Sequence, residues 1–248
     1  HKNISDFTWL NKLEIQNCKG KYIAVCEGDD YWIDYQKLQL QVDFLENHPE
    51  YIMVTHNTLQ INEDNKVLSP INYKRKDGPV KESEIILETV KLQTASRVYR
   101  KDAKKLDNIF LEVGIGDYPY LLSAITQGRI YYFDRIMSVY RFNHVGSWSS
   151  LMLDEKKYLF HSVHIIDFLE KYNKFTKGKY EWSCISKIQD QVDKVLYLFK
   201  KKSVTEFIKE CEIYSEEQNG KYNRVFKQLI RMVKQLYDVK YLDRKLYH

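Results

Sequence analysis

"YIAVCEGDDYW", the stretch from Tyr22 to Trp32, begins with residues that favour burial and then places three carboxylates within four positions. This pattern predicts a buried strand that ends in an acidic turn at Glu27, Asp29 and Asp30. Ligands of open α/β sheets bind beyond the carboxyl ends of strands, so the turn lies where a site is expected. Carboxylate oxygens suit Mg²⁺ or Mn²⁺, which keep several waters and share substrate phosphates. Acidic pairs at such turns also serve as helix caps or solvated charges, so later segments must decide between the two interpretations.

The segments around this turn alternate between strand and helix patterns, which is typical of a layered α/β domain. The helix after the turn is expected to be capped by Asp34 and stopped by Pro49. Leu38, Val42 and Leu45 fall on one face of that helix. The predicted segments of this part are a helix at 5–18, strands at 22–26 and 51–61, a surface loop at 62–80, a short helix at 83–90, a strand at 93–100, a helix at about 117–127, and strands at 129–133 and 136–142.

From residue 151 the strand patterns stop, and helical stretches follow at about 153–172, 181–200, 203–215 and 221–237. We therefore place a domain boundary near residue 150. The basic charge belongs to the second part, because residues 1–150 hold 19 Lys and Arg against 20 Asp and Glu, whereas 151–248 hold 20 against 14. A nucleic-acid surface would have to lie in the helical part.

The composition, 44% hydrophobic and 29% charged over 248 residues, is ordinary for a globular protein. No stretch reaches the roughly 18 apolar residues that a membrane span needs. The cysteines, at 18, 26, 184 and 211, form no CxxC pair, which favours reduced thiols in the cytoplasm and disfavours a zinc site. Because the chain begins with His1 rather than Met, we expect it to be a piece of a longer protein or a processed product.

Two later segments carry polar groups that suit a site. "GIGDYPYLL" places Asp117 at a helix start, where an Asp is normally an N-cap but can also present its carboxylate to a cleft. "YRFNHVGSWS" places Arg141 and His144 on a turn after a strand. A single His on a loop is usually a surface residue, so neither segment is decisive alone.

Taken together, three segments resemble the family-2 glycosyltransferases of the GT-A type, of the kind that assembles bacterial polysaccharides. They are "GKYIAVCEGDDYWIDYQKLQLQVDFLENHPEY", "TASRVYRK" and "GDYPYLLSAITQGRIYYFDRIMSVYRFNHVGSWS", and the resemblance spans about residues 10–150. The first segment is the most specific, because strand, acidic turn, aromatic pair and helix occur in order. The resemblance implies a partial GT-A fold at 1–150, a Rossmann-like mixed sheet with flanking helices, followed by an all-helical region at 151–248.

The resemblance also implies roles for the acidic turn. In this family the turn binds Mg²⁺ or Mn²⁺, which bridges the two phosphates of a nucleotide sugar. Asp29 and Asp30 match the metal-binding positions, and Glu27 matches the variable first acidic position, on the substrate side. His144 matches a loop position that contacts the metal or the diphosphate.

The remaining roles follow in the same way. Asp117 matches the catalytic base that takes the proton from the acceptor hydroxyl. Arg141 is expected to face the phosphates, and Trp32 to line the sugar side of the pocket. Family members begin with βα units that hold the nucleotide base and ribose, and no such pattern precedes the acidic turn here. We therefore expect the metal and acceptor half of the domain, with strand 22–26 lacking a partner on one side.

The predicted reaction is inverting transfer of a sugar from a nucleotide-diphosphate donor to a saccharide or lipid-linked acceptor in cell-surface polysaccharide synthesis. It needs one carboxylate as general base and a cation that offsets charge on the departing diphosphate. Two alternatives stay open: a non-catalytic remnant or interaction module that keeps part of the fold, and another metal-dependent nucleotide-phosphate enzyme. Release of pyrophosphate would distinguish a nucleotidyltransferase from a sugar transferase.

The helical region interleaves basic and apolar residues, as in "RVFKQLIRMVKQLYDVKYLDRKLYH". One interpretation is a bundle that packs its apolar face on the catalytic domain and leaves a solvated basic face. The other is peripheral binding to an anionic membrane surface, which suits a lipid-linked acceptor at the inner, cytoplasmic face of the cell membrane. Nucleic acid is disfavoured as a partner because no RNA or DNA motif is present. The apolar positions at helical spacing are Val225, Leu229, Met232, Val233 and Leu236.

Overall fold

The computed structural model describes residues 17–103, 108–111, 117–144, 147–199, 203–217, 219–232 and 234. The helix predicted at 5–18 lies almost entirely outside these residues. The chain divides into two units, His1–Leu151 and Met152–His248, and the division falls beside the boundary placed near residue 150.

The described part of the first unit is built on a mixed sheet of seven strands. The strand order is β1-β6-β3-β7-β2, with β4 beside β3 and β5 beside β7. The long strands β3 and β7 are parallel, and the other pairs among the described residues are antiparallel. The predicted α/β class with a mixed sheet is therefore confirmed. The strands are β1 (Tyr22–Ala24), β2 (Tyr31–Trp32), β3 (Tyr51–Ile61), β4 (Val67–Pro70), β5 (Gly78–Val80), β6 (Val98–Arg100) and β7 (Arg129–Arg141).

The centre of this sheet is the parallel pair of β3 and β7. Residues 51–58 of β3 are all buried, as expected for a strand with neighbours on both sides and packing on both faces. The sequence predicted two strands, 129–133 and 136–142, where the structure has the single strand β7. Asp134 and Arg135 are skipped in the register with β3, so the predicted break is a bulge and the ladder continues beyond it.

The prediction of a structureless loop at 62–80 was wrong, because this segment contains β4 and β5. β4 pairs with the end of β3 through a turn in which Asn65 has a left-handed φ of 58°. The turn closes through Asn62, whose N–H donates to the Lys66 carbonyl at 3.0 Å and whose Oδ1 accepts the Lys66 N–H at 2.8 Å. Backbone hydrogen bonds supply this pairing, so the short segment Val67–Pro70 forms a strand without an alternating hydrophobic pattern. At the other end of the sheet, β1 pairs with β6 alone among the described residues, as expected.

The helix after the acidic turn differs in detail from its prediction. Its N-cap is Gln36, whereas the predicted cap, Asp34, accepts the Gln36 N–H at 2.9 Å and pairs with Arg135 at 2.6 Å. Of the predicted apolar face, Leu45 is buried and Val42 packs against the same core, whereas Leu38 is 42% exposed. Lys37 and Gln41 are buried beside Leu45, which was not predicted. By contrast, the helix at Asp117–Gln127 has the predicted bounds. The helices of this unit are α1 (Lys37–Asn47), α2 (Glu82–Ile86), α3 (Asn108–Leu111), α4 (Asp117–Gln127) and α5 (Trp148–Leu151).

The described part of the second unit is all-helical, as predicted. Its helices are α6 (Glu155–Phe175), α7 (Glu181–Phe199), α8 (Val204–Glu217) and α9 (223–232). The core draws on all four of these helices and contains Leu159, Val163, Ile166, Val192, Val195, Phe207, Cys211, Tyr222, Val225, Phe226 and Leu229. Met232 packs against this core, while Val233 and Leu236 lie outside the described side chains.

Two sequence features have structural counterparts. All four cysteines are free thiols. Among the described residues, none of the helices combines the length and the apolar character that a membrane crossing requires.

Candidate active site

The acidic turn connects the two end strands of the described sheet order. β1 and β2 are separated by four strand spacings, roughly 19 Å in a flat sheet. The chain covers this step between Ala24 and Tyr31, and it folds on the way, because Asp30 N–H donates to the Glu27 carbonyl at 3.2 Å. A folded segment spans less than its fully extended length. The two end strands must therefore lie closer together than in a flat sheet, which means that the sheet curls towards the turn.

Asp30 is the buried carboxylate of this turn, with 8% of its surface exposed. Its Oδ1 accepts the backbone N–H of Arg141 at 3.2 Å, whereas its Oδ2 is buried without a hydrogen-bond partner. Burial raises the pKa of Asp30 to about 6, and the Asp29 charge adds to this effect, while the Arg141 N–H and the His144 side chain oppose it. A buried carboxylate oxygen without a donor is suited to receive a cation.

Asp29 and His144 lie next to each other, with Nε2 of His144 at 3.4 Å from Oδ2 of Asp29. The other ring nitrogen, Nδ1, lies 3.2 Å from the carbonyl of Arg141. Asn143, with a left-handed φ of 56°, precedes the histidine. When Nδ1 donates to that carbonyl, Nε2 keeps a lone pair on the side of Asp29.

Arg141 joins the site through its backbone, which contacts both Asp30 and His144. Its guanidinium donates to Asn65 Oδ1 at 2.8 Å and lies over the ring of Tyr31 at 5.3 Å. The expected contact of this side chain with phosphates remains a prediction.

Asp117 is held at the start of α4 by two partners from another segment. The hydroxyl of Thr94 donates to its Oδ2 at 2.6 Å, and Nη1 of Arg97 lies 3.4 Å from its Oδ1. The Arg97 side chain is only 4% exposed, whereas that of Asp117 is 45% exposed. Arg97 also donates through Nε to the carbonyl of Leu92 at 3.0 Å. The carboxylate is therefore fixed from behind by a buried cation and remains open to a ligand.

Glu27 links the acidic turn to the start of α4. Burial raises the pKa of Glu27 to about 7, and the charges of Asp117, Asp30 and Asp29 add to this effect while Arg97 opposes it. The residue as a whole is nevertheless exposed. The charge of Asp117 acts on Glu27, so the two acidic segments lie near each other.

Trp32 is anchored to the segment that holds Asp117. Its Nε1 donates to the carbonyl of Ala95 at 2.9 Å, next to Thr94. The centroid of its ring lies 4.4 Å from Nζ of Lys37. Lys37 is 1% exposed, and its Nζ donates to Gln41 Oε1 at 2.8 Å. Burial lowers the pKa of Lys37 to about 8. Whether Trp32 also lines a sugar pocket remains a prediction.

The donor set fits a magnesium or manganese site in which water and substrate complete the coordination shell. Among the described residues, no three His, Cys, Asp or Glu side chains converge as a complete metal site. Mg²⁺ typically takes one or two protein carboxylates and completes its shell with water and substrate phosphates. Asp30, with its unpartnered Oδ2, and the adjacent Asp29 satisfy that requirement, and His144 stands beside them.

Sequence reasoning assigned no role to Thr94, Arg97 or Lys37, although each holds a predicted site residue. Arg97 left one usable signal, since it is a lone cation in the otherwise uncharged run "LQTASRVY". A charge in such a run needs a buried partner. For Lys37 the sequence signal is weaker, because its burial on α1 is explained only by its contact with Trp32.

Comparison with known proteins adds relatives without a stated activity. No family model matches the chain. The curated relatives include an uncharacterized protein of Mycobacterium bovis and uncharacterized proteins of two strains of Mycobacterium tuberculosis. Each is 34% identical to this chain over 143 residues, which covers 56% of this chain and 40% of the relative. The chain thus spans well under half of the length of these relatives, and the chemistry of the site must distinguish one function from another.

Proposed function

We propose that the chain is the metal- and acceptor-binding part of an inverting glycosyltransferase of the GT-A type. It moves a sugar from a nucleotide-diphosphate donor to a saccharide or lipid-linked acceptor in cell-surface polysaccharide synthesis. The observation that carries the proposal is the presence of two differently held carboxylate groups on segments that the hydrogen bond from Trp32 to Ala95 connects. One is the acidic turn with the unpartnered Oδ2 of Asp30, and the other is Asp117 between Thr94 and Arg97.

In this proposal Asp117 is the general base. Arg97 and Thr94 hold its carboxylate in place, and its exposed side meets the acceptor hydroxyl and accepts the proton as the new bond to the sugar forms. Fixing the base in advance lowers the cost of orienting it during the reaction. Trp32 and Glu27 border the sugar, and Arg141 lies on the phosphate side.

The acidic turn serves the leaving group. Asp29, Asp30 and His144 would hold Mg²⁺ or Mn²⁺, and the ion would supply positive charge that offsets the charge on the departing diphosphate. Because metal binding and proton transfer are assigned to different carboxylates, Asp117 is not occupied by the cation and can accept the proton.

The proposed setting is the inner face of the cell membrane. Nucleotide sugars are cytoplasmic donors, and a lipid-linked acceptor presents its saccharide at the membrane surface. The excess of 20 basic over 14 acidic residues in 151–248 supports attraction to anionic lipid.

The test measures Mn²⁺ binding in the presence of a nucleoside diphosphate, together with release of nucleoside diphosphate from a panel of nucleotide sugars. Asp30→Asn should abolish Mn²⁺-dependent binding and release. Asp43→Asn, on the exposed face of α1, is the matched control and should change neither.

Three results would contradict the proposal. Equal Mn²⁺ binding by Asp30→Asn and Asp43→Asn would remove the metal role of the turn. Release of pyrophosphate from an added nucleoside triphosphate would favour a nucleotidyltransferase. Absence of both metal binding and turnover would favour a non-catalytic module.

A further inference from the structure

The connection between α6 and α7 forms a well-anchored tip in the second unit. α6 ends at Phe175 and α7 begins at Glu181. Tyr172 and Tyr180, both buried, stack across the base of the tip with ring centroids 5.9 Å apart and an interplanar angle of 3°. Gly178, with a left-handed φ of 79°, donates its N–H to the carbonyl of Asn173 at 2.9 Å and closes the helix end. The side chains that leave this tip therefore start from a fixed backbone.

Three large apolar side chains project from the tip into solvent. Trp182 is 71% exposed, Ile185 57% and Phe175 42%. Trp182 and Ile185 are three positions apart on α7 and so share one face of the helix. Cys184, which lies between them in sequence, is completely buried. The helix therefore packs one apolar face against the core and exposes a second apolar face, formed by Trp182 and Ile185, to solvent.

The tip also carries positive charge from Lys174 and Lys177. Both belong to the segment "KFTKGK", residues 174–179, which contains no acidic residue and ends two positions before Glu181. Within the described residues, neither Lys174 nor Lys177 has a carboxylate partner for its side chain. Lys177 has a left-handed φ of 54°, so its side chain emerges at the turn itself.

Elsewhere in the same unit, several cations are paired with acids. Lys171 lies 2.7 Å from Asp167, and Arg224 pairs with Glu170. Lys194 lies 2.7 Å from Asp190. The basic charge of 151–248 is thus partly neutralised along the helices, whereas that of Lys174 and Lys177 at the tip is not.

We propose that this tip is a peripheral membrane anchor for anionic lipid. The exposed apolar residues Phe175, Trp182 and Ile185 enter the headgroup and acyl boundary, where an indole ring is well accommodated. Lys174 and Lys177 meet the lipid phosphates, and their aliphatic stems lie along the apolar side chains. The anchor extends the proposed function but is measured without sugar transfer, so the two proposals can fail separately.

The experiment is co-sedimentation of the 248-residue chain with vesicles of phosphatidylglycerol and phosphatidylcholine in equal parts, and with phosphatidylcholine alone. We expect binding to the anionic vesicles that weakens as salt rises, because screening shortens the electrostatic range. Trp182→Ser with Ile185→Ser should weaken binding by roughly tenfold or more, the scale of losing two buried apolar side chains. Lys174→Gln with Lys177→Gln should weaken it by about fivefold per lysine on anionic vesicles only.

Tyr197→Ser is the matched control. Tyr197 is 75% exposed on the same helix, but it lines a shallow cavity with Asp190 and Asp193 at the other end. This variant should bind as the wild type does. A second measurement, quenching of tryptophan emission by brominated lipids, should lose a component in Trp182→Phe, a change that leaves the exposed position aromatic.

Several outcomes would overturn the anchor. These are absence of binding to anionic vesicles, equal losses in the Trp182 and Tyr197 variants, or lipid quenching that Trp182→Phe leaves unchanged. Conversion of a dimer to a monomer by Trp182→Ser, without vesicle binding, would assign the tip to self-association instead.

Discussion

Asp117 contacts two partners outside its own helix, the guanidinium of Arg97 at 3.4 Å and the hydroxyl of Thr94 at 2.6 Å. Asp30 has the opposite arrangement, with one backbone donor and one buried oxygen that has no partner. The two aspartates therefore differ in what they can still bind. A carboxylate with positioned donors is oriented for proton transfer, whereas one with an unused buried oxygen favours a cation.

Replacing the proposed base tests this distinction. In the full-length enzyme, Asp117→Asn should lower turnover by roughly 10²-fold or more, the scale of losing general-base help. Mn²⁺ binding should change little, because the metal is assigned to Asp29 and Asp30. The measurement is steady-state release of nucleoside diphosphate together with a Mn²⁺ titration. Wild-type turnover in this variant would show that Asp117 is only a helix-terminal residue, for which Asn is an adequate replacement.

The positioning role of Thr94 has a separate test. Thr94→Val keeps the shape and removes the hydroxyl that donates to Asp117. Hydrogen bonds to charged groups contribute about 1.5–3 kcal/mol, so turnover should fall at least about tenfold with Mn²⁺ affinity unchanged. Thr89→Val is the control, since its hydroxyl donates to the carbonyl of Glu84, on the surface. Equal turnover in the two variants would contradict the role of Thr94.

At the scale of elements, the acidic turn crowds carboxylates beside a sheet that curls around it. Burial raises the pKa of Glu27 from 4.5 to about 7 and that of Asp30 from 3.8 to about 6. The turn is therefore strained electrostatically when all its carboxyls are ionised. A divalent cation or bound protons would relieve this repulsion in the same way.

The pH dependence of stability follows with a definite sign. Both carboxyls bind protons more tightly in the folded state, because the pKa of Glu27 is raised to about 7 and that of Asp30 to about 6. Their contribution to the free energy of unfolding is therefore complete below about pH 4 and is lost as pH rises through 6 and 7. Asp30→Asn should flatten the part of this fall below about pH 6, measured by urea unfolding at a series of pH values.

The same turn predicts how Mn²⁺ acts on stability. The ion should raise the melting temperature at pH 8, where the carboxyls are ionised, and have little effect at pH 5, where Asp30 is largely protonated. An equal effect of Mn²⁺ on the melting temperature at both pH values would contradict this account. So would a pH dependence of the free energy of unfolding that is the same in Asp30→Asn and in the wild type.

The junction of α4 and β7 is a second element-scale feature. One residue, Gly128, separates them, and a Cβ placed there would lie 2.5 Å from Cγ2 of Ile52 on β3. Gly128→Ala should therefore reduce the free energy of unfolding by about 1–3 kcal/mol, the usual cost of overpacking. Gly28→Ala in the acidic turn is the control, because no atom lies within 4 Å of its added Cβ. Similar stabilities in urea for both variants would show that Ile52 moves aside freely.

At the scale of the whole molecule, each unit has its own core. In the first, Leu45 is completely buried in a cluster with Tyr51, Val54 and Val98. In the second, Phe207 is 1% exposed in the core that the helices share. Separate cores allow separate unfolding, because the packing lost on opening one unit is its own.

Core truncations should therefore act locally. Phe207→Ala should destabilise the helical unit by about 3–5 kcal/mol, and Leu45→Ala should destabilise the α/β unit by about 2–5 kcal/mol. Hydrogen exchange measured by peptide should show each loss of protection confined to one unit. A uniform loss of protection over both units in either variant would indicate a single cooperative structure instead.

Local sequence alone determined much of the architecture. The bounds of α4, the start of α7 and the position of the acidic turn were all predictable, because helix periodicity and turn residues act over a few neighbouring positions. The change from a mixed α/β pattern to helices near residue 150 was visible for the same reason. The metal and base roles of the site still rest on resemblance and await their tests.

Only the tertiary structure decided which polar residues are buried. Lys37 and Gln41 are buried on α1 beside the expected Leu45, because Trp32 contacts the lysine ammonium and the glutamine amide donates to the carbonyl of Ser96, 55 residues away. Asp117 likewise finds its support in Arg97, far from it in sequence. Burying a polar group is tolerated only where the fold supplies a hydrogen-bond or charge partner. Such partners are distant along the chain, so folding must bring them together before the cost of burial can be judged.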